Sequence, residues 1–430
     1  MSQPPLQPAT PTPARPPLMS LDDALARLMQ AVRPFDAAQA LQVSTFDALG
    51  RVLAAEVRSA VDVPPADNSA MDGYAMRCAD VPVAGTTLPV SQRIPAGVVG
   101  TPLVPGTAAR IFTGAQVPLG ADAVVMQEQC SAVGEGAVRI DTVPQHGQAI
   151  RRRGEDVHAG SVVLPAGTRL SPQALGLAAS AGAATLAVAR RPRVALFSTG
   201  DELVMPGEVT PDQMTPGAIY NSNRYTLRAM IQALGCECTD LGIVPDRLDA
   251  TREALRHAAQ QHDLIVTSGG VSVGEEDHIK PAVEAEGRLD LWQMSMKPGK
   301  PLAFGVVRRR ADSPEQAQAY FIGLPGNPVS SFVTFFLVVR PVLLHLQGVI
   351  DWRVRPTPMR ADFDWPRADK RREFLRVRRN ATGGLDLFPS QGSGVLTSAV
   401  WGDGVVDNPA GQTIRAGDTV HYLPFSELLS

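Results

Sequence analysis

The chain has 430 residues, 44% apolar and 19% charged, with 40 basic against 43 acidic side chains and a formal net charge of -3. Such a length suggests about two to four domains with ample core, and the composition excludes disordered and fibrous classes. A general nucleic-acid binder carries a basic excess that is missing here, so no nucleic acid is expected as a partner.

Residues 1–18 hold seven prolines and one charge, Arg15, and read as a disordered proline-rich tail. Ser20 can then cap a helix through Leu25 and Leu28. From Val61 to Pro144, Gly and Pro recur between short Val- and Ile-containing runs, which predicts a small β domain. Helical pattern returns at Pro172 to Ala181. This places a β domain (61–144) inside a helix-containing N-terminal domain (19–60 plus 145–190).

Next, apolar strands alternate with helices. Strands are expected at Val194–Phe197, Leu241–Val244, Leu264–Thr267, Leu302–Val306 and Tyr320–Ile322. Helices are expected at Asn223–Leu234 (capped by Ser222), at Ala250–Gln261, and after Asn327-Pro328. The alternation predicts a parallel sheet with helices on both faces, an α/β domain over 191–347. Residues 350–430 return to short strands and turns, a separate C-terminal β domain. The fold class is therefore α/β multidomain.

The longest apolar run, Phe332 to Val339, stops at Arg340-Pro341, short of the ~20 residues a bilayer requires, so no membrane association is expected. Four cysteines are too few for a disulfide framework, and Cys236-x-Cys238 has no second pair or nearby histidine to complete a zinc site. With no cationic, apolar leader at the N-terminus, a reducing, cytoplasmic location is expected.

In an open α/β sheet, ligands bind beyond the carboxyl ends of the strands. Three of the expected strands end in Ser198-Thr199-Gly200-Asp201-Glu202, in Ser268-Gly269-Gly270-Val271-Ser272-Val273-Gly274, and in Gly323-Leu324-Pro325-Gly326-Asn327-Pro328. Any one is equally a tight turn. Three on strand ends argue for a ligand bearing phosphate or another oxyanion, because glycines let backbone N–H groups approach such oxygens. Neither the P-loop nor the dinucleotide fingerprint is present.

The chain has four lysines, so arginine supplies nearly all its positive charge. Lys280, Lys297 and Lys300 nevertheless share one 21-residue window, where even scattering predicts about 0.2. Lys297 and Lys300 lie in Lys297-Pro298-Gly299-Lys300-Pro301, whose prolines stiffen the backbone around two compact ammonium groups suited to an oxyanion. Acids recur near the glycine loops: Asp67, Asp72, Asp156, Asp201, Glu202, Asp246 and Asp277. Carboxylates would repel an anionic ligand unless a hard cation joined them, a role that fits Mg²⁺. For each acid alone, a solvated loop or a helix cap is an equal reading.

Together, Asp67-Asn68-Ser69-Ala70-Met71-Asp72-Gly73-Tyr74-Ala75, Arg110-Ile111-Phe112-Thr113-Gly114-Ala115, Arg153-Gly154-Glu155-Asp156 and the three strand-end motifs resemble the MoeA family, over about residues 19–430. These are the molybdopterin molybdenumtransferases, whose relatives include the gephyrin E domain. The resemblance implies a homodimer of four-domain subunits whose central three-layer domain is similar to molybdopterin adenylyltransferase. It implies Mg²⁺-dependent insertion of molybdate into adenylylated molybdopterin with release of AMP, downstream of a molybdopterin adenylyltransferase. By motif, Ser268, Gly269, Gly270, Gly274 and Asp277 would cradle the pterin nucleotide. Lys297, Pro298, Gly299 and Lys300 would hold molybdate or phosphate. Glu202, Asp246 and Asp277 are the metal candidates, and Pro325, Gly326, Asn327 and Pro328 form the cleft floor. Asp67, Thr113 and Asp156 would reach the cleft from the partner subunit, and Arg372 and Ser393 would come from the C-terminal domain. His278 departs from the aromatic residue the resemblance leads one to expect. Two alternatives stay open: the adenylyltransferase step itself, and a gephyrin-like scaffold.

Overall fold

A computed structural model describes residues 18–271, 278–310 and 318–428. The tail expected before Leu18, and the positions Gly274 and Asp277, lie outside them. The chain separates into two compact units. One contains the N-terminal segment to Ala40, Gly50–Val52 and Ala189 onward; the other contains Leu41–Leu49 and Leu53–Val188.

The first unit opens with helix α1 (Leu21–Ala31). Ser20 caps it by accepting from the Asp23 backbone N–H at 3.1 Å. Its α/β sheet uses strands β1 (Arg193–Thr199), β2 (Glu237–Val244), β3 (Leu264–Ser268), β4 (Gly287–Gln293), β5 (Pro301–Arg308) and β6 (Gln318–Leu324). Their order is β2-β1-β3-β6-β5-β4. Period-two alternation distributes the strand side chains between two cores. Val194 and Leu196 face one side, with α1, α2 (Ser222–Ala233) and the helix α5 (Pro328–Leu346). Ala195 and Phe197 face the other, with α3 (Leu248–Gln261) and α4 (Ile279–Glu286).

The sheet departs from the expected parallel pattern. Pairs β2–β1, β1–β3 and β3–β6 are parallel, but β5 and β4 run antiparallel. Residues 309–317 are too few to carry a crossover helix between β5 and β6, so the chain reverses as a hairpin. The expectation also missed α4 and β4. The α2 cap falls one residue earlier than expected, because the Asn221 Oδ1, rather than Ser222, accepts from the Arg224 N–H at 3.1 Å. Helix α5 is apolar and long enough to cross a bilayer, yet 83% of its most apolar stretch is buried in this core.

Beyond the sheet, β7 (Thr357–Ala361), β8 (Arg372–Arg379), β9 (Gly384–Leu387), β10 (Gly404–Asn408) and β11 (Thr419–Pro424) pair as β8-β9-β7-β11-β10. Strand β10 also pairs β8, which closes a five-stranded barrel. Leu375, Val377, Leu385, Val406 and Tyr422 fill it.

The second unit contains a six-stranded sheet in the order Ala123–Met126, Gly73–Met76, Ala108–Ile111, Thr86–Ile94, Ala137–Ile140 and Cys130–Val133. A separate core packs helix Pro172–Ser180 near the paired strands Leu41–Ser44 and Thr185–Val188.

Candidate functional site

The carboxyl ends of β1, β2, β3 and β6 open onto one cleft of about 610 Å³. From β1 come Thr199, Gly200 and Glu202; from the turn after β2, Asp246; from the end of β3, Gly269 and Gly270; from the loop after β6, Pro325, Gly326 and Asn327. The segment Lys297–Pro301 forms another wall, and Arg371, Gln391, Gly392 and Ser393 come from the barrel domain. The crevice sits where an open α/β sheet places ligands.

Local backbone geometry explains the glycines that matter here. Gly269 has φ +91, and a Cβ on it would lie 2.7 Å from the Thr199 carbonyl oxygen. Only glycine lets β3 turn this close to the end of β1. The floor loop is held from beneath: Ser331 Oγ donates to the Pro325 carbonyl, and Asn223 Nδ2 donates to that of Gly326 at 2.7 Å. The Val329 N–H donates to the Ser393 carbonyl at 3.0 Å, tying the barrel's contribution to the first turn of α5.

The cations are held differently. Lys297 Nζ donates to Glu373 at 3.0 Å and to Asp369 at 3.4 Å. Glu373 is 1% exposed and also accepts from the Trp365 indole N–H at 2.7 Å, so this carboxylate fixes the ammonium against one wall. Asp369 in turn pairs with Arg371 at 3.0 and 3.1 Å. That guanidinium holds the Asp369 carboxyl well below the usual carboxylate range. The Lys300 carbonyl accepts from the Met294 N–H at 2.6 Å, while its exposed ammonium has no hydrogen bond or ion pair with another described residue. Among the described residues, three cations thus meet in the cleft, and the ammonium of one has no partner there.

Among the described residues, Glu202 and Asp246 are the carboxylates lining the cleft. Among the described residues, no group of three or more His, Cys, Asp and Glu is arranged to hold a metal ion. A pair of acids suits a hard cation that completes its shell with ligand phosphates and water, as Mg²⁺ does. Burial pushes the Cys78, Cys130 and Cys238 thiols up to about 11, and none of the four cysteines forms a disulfide.

The remaining expected residues fall elsewhere. Ser268 is 2% exposed, shares a hydrogen bond with Ser198 at 3.1 Å, and lines a neighbouring compartment with Pro328. Arg372 is a correction: it does not line the cleft. Its guanidinium forks onto Asp407 at 2.6 and 2.6 Å and reaches Asp22 at 3.2 Å, and it faces a separate groove. Arg371, one position earlier, faces the cleft instead. Adjacent residues on extended chain point opposite ways, so a one-residue error moves the charge to the other side.

Asp67, Thr113 and Asp156 belong to the second unit, where hydrogen bonds gather their three loops. Asp67 accepts from the Arg153 N–H at 2.8 Å and from Arg152 Nη1 at 2.6 Å; the backbone bond first, then the guanidinium, holds its carboxyl low despite some burial. Thr113 donates through N–H and Oγ1 to Asp72 Oδ1 at 2.8 and 2.7 Å. The Asp156 N–H donates to the Val63 carbonyl at 3.1 Å, leaving the side chain exposed. Sequence reasoning missed Arg371, Gln391, Gly392 and Ser330 in the cleft. Asp369 and Glu373, a short step from Arg371, were the available signal.

A crevice of this kind, with glycine-turned strand ends, clustered cations and paired acids, has the chemistry that suits phosphorylated or oxyanionic small molecules. Comparison with known proteins narrows the class. Residues 19–182 match the MoeA N-terminal region (domain I and II), residues 195–345 a probable molybdopterin binding domain, and residues 358–425 the MoeA C-terminal region (domain IV). A molybdopterin molybdenumtransferase of Haemophilus influenzae is 37% identical over 96% of this chain and 100% of its own length. Another, from Nostoc sp., is 37% identical over 97% and 96%. The crystal structure of a molybdopterin biosynthesis moeA protein from Pyrococcus horikoshii OT3 superposes with a TM-score of 0.80 at 27% identity, covering 95% of this chain and 100% of that one. The chain belongs to the MoeA family.

Proposed function

We propose that this enzyme is a molybdopterin molybdenumtransferase of molybdenum cofactor biosynthesis, and that it inserts molybdate into adenylylated molybdopterin with release of AMP. The observation that carries the reading is the composition of the cleft. Lys297, Lys300 and Arg371 offer three cations to oxyanions, beside carboxylates that need a cation of their own.

In this mechanism the protein mainly positions and neutralises. Lys300, whose ammonium has no partner among the described residues, binds molybdate or a phosphate oxygen directly. Lys297 is aimed by Glu373 and meets the same anion from the wall. The Gly269 N–H is spent on the Leu324 carbonyl at 3.1 Å, so the turn it allows brings the Gly270 backbone close to the diphosphate, and Ser393 closes the site from the barrel side. Glu202 and Asp246 would hold Mg²⁺, which when bound neutralises charge on the leaving AMP. Asp67, Thr113 and Asp156 act from the second subunit of a homodimer. There a carboxylate held ionised, as Asp67 is, orients the water that cleaves the phosphoanhydride and takes its proton. The substrate comes from a molybdopterin adenylyltransferase upstream.

Lys300→Ala tests the assignment. The side chain is exposed, so the melting temperature stays at the wild-type value, while molybdate-dependent AMP release falls about 10²-fold. Wild-type turnover in that variant contradicts the oxyanion site.

A further inference from the structure

Two strands of the second unit's sheet, Gly73–Met76 and Ala108–Ile111, pair antiparallel with Gly73 opposite Ile111. That register brings Asp72, just before the first strand, beside Thr113, just past the end of the second. The Asp72 side is built rigidly. A Cβ on Gly73 would collide with the Val125 carbonyl oxygen, so the backbone passes here only as glycine. The Asp72 carbonyl accepts from the Gln127 N–H at 3.0 Å. Arg110 Nη1 donates to the Gly73 carbonyl at 2.9 Å, with its guanidinium over the Phe112 and Tyr74 rings. On the other side, Gly114 turns the chain at φ +80 and its N–H donates to the Ser69 carbonyl at 2.8 Å.

Asp72 Oδ1 takes both of its bonds from one residue, the Thr113 N–H at 2.8 Å and the Thr113 hydroxyl at 2.7 Å. The backbone bond first, then the hydroxyl, hold the Asp72 carboxyl below the usual carboxylate range, so it is ionised at neutral pH. An ionised carboxylate can only accept. The one hydroxyl proton of Thr113 is therefore committed to Asp72, and Oγ1 offers its lone pairs alone. Among the described residues no donor reaches them. Without Asp72 the hydroxyl would rotate, as a donor in some positions and an acceptor in others.

We propose that Asp72 is a positioning residue of the reaction, which turns the Thr113 hydroxyl into an acceptor for the attacking water. This rests on the function proposed above, in which Asp67 takes one proton of that water; Thr113 holds its other hydrogen. The Ser69 N–H donates to the Ala115 carbonyl at 2.9 Å and ties the Thr113 turn to the loop that carries Asp67. In the step itself the water oxygen bonds to one phosphorus, the bridging oxygen leaves with the other phosphate, and the proton goes to Asp67. Two acceptors fix the direction of a water molecule where one leaves it free to turn. Asp72 thus acts through Thr113 rather than on a cation.

Turnover of the full chain, read as molybdate-dependent AMP release from adenylylated molybdopterin, tests this with Thr113→Val, Asp72→Ala, their double variant and Asp72→Asn. Solvent reaches both side chains, so water replaces the lost bonds and the melting temperature stays at the wild-type value. The expected result for each single variant, Thr113→Val and Asp72→Ala, is a fall of about tenfold in kcat with KM unchanged, because the bond to the water matters only in the transition state. The double variant falls no further, and Asp72→Asn, which keeps an acceptor oxygen in place, recovers most of the loss. Wild-type turnover in Asp72→Ala overturns the proposal, as does a raised KM with a lowered melting temperature. So do losses that multiply to about a hundredfold in the double variant, which would mean that Asp72 acts on its own, as a cation ligand would. Asp72→Asn as impaired as Asp72→Ala has the same consequence. Wild-type turnover in Thr113→Val instead contradicts the place of Thr113 in the active centre, and the proposal falls with the reading it rests on.

Discussion

At the scale of single residues, the cleft separates groups that touch ligand from groups that aim them. Lys297 and Lys300 lie three positions apart, yet the ammonium of one is pinned by Glu373 and Asp369 and that of the other has no partner among the described residues. Their substitution should therefore differ. Lys300→Ala affects turnover alone. Lys297→Ala also removes the ammonium from the buried Glu373 carboxylate, leaving the Trp365 N–H as its hydrogen-bond donor, and should cost about 1–2 kcal/mol of stability because Lys297 itself is half-exposed. Thermal melting of the two variants side by side checks this: a clear drop for Lys297→Ala and none for Lys300→Ala. Asp263 makes a pH prediction. Its carboxylate is 4% exposed; burial pushes its pKa up, but hydrogen bonds from Arg190 at 2.6 and 2.8 Å and from the Arg193 N–H at 2.9 Å outweigh that and lower it. A depressed folded-state pKa contributes stability above the unfolded value of about 4, and that stability is lost as pH falls through the folded value. Asp263→Asn should lower the melting temperature at pH 7, and the gap from wild type should shrink as pH drops below about 4. A gap independent of pH contradicts the assignment.

Among the elements, the turn between β3 and the cleft is the least forgiving. Gly269→Ala would combine a positive φ with a Cβ pressed on the Thr199 carbonyl, a strain of about 1–3 kcal/mol. The same Cβ would stand at the cleft wall, so ligand affinity should fall together with stability. Denaturant unfolding and AMP titration of one preparation read both, and loss of neither contradicts the geometry. The barrel contributes through Arg376, 1% exposed, whose guanidinium donates to the Gly392 carbonyl at 3.1 Å and to Ser398 Oγ at 3.1 Å. It braces the loop that carries Gln391, Gly392 and Ser393. Burial lowers its pKa to about 10, so it keeps its charge at neutral pH without a carboxylate beside it.

Legibility followed physical locality. Ser20 as a cap, the β1 and β3 strands, and the glycine turns could be read because each depends on a few neighbouring residues. The antiparallel hairpin β5–β6 could not, because direction depends on a connection whose length, rather than pattern, excludes a crossover. The site was legible where motif and strand end coincide, as at Glu202, Gly269 and Pro325. It was not legible at Arg371, where Arg371 and Arg372 are indistinguishable until the backbone shows which one faces the cleft.

For the whole molecule, the shared-site proposal assigns Asp67 and Lys300 of one active centre to different subunits. Asp67→Ala and Lys300→Ala should each be inactive alone. A fully exchanged equimolar mixture of the two should recover about one quarter of wild-type activity, because half of the dimers are mixed and each mixed dimer holds one intact centre of two. Absence of recovery in verified hybrids contradicts the shared site.

The central claim is that cations and glycine-lined backbone grip a diphosphate while Mg²⁺ reconciles it with Glu202 and Asp246. Calorimetric titration of the purified protein with adenylylated molybdopterin, with and without Mg²⁺, tests it most directly. Binding that strengthens with Mg²⁺, and loses that dependence in Glu202→Gln, is the predicted result. No measurable affinity under either condition would contradict the account.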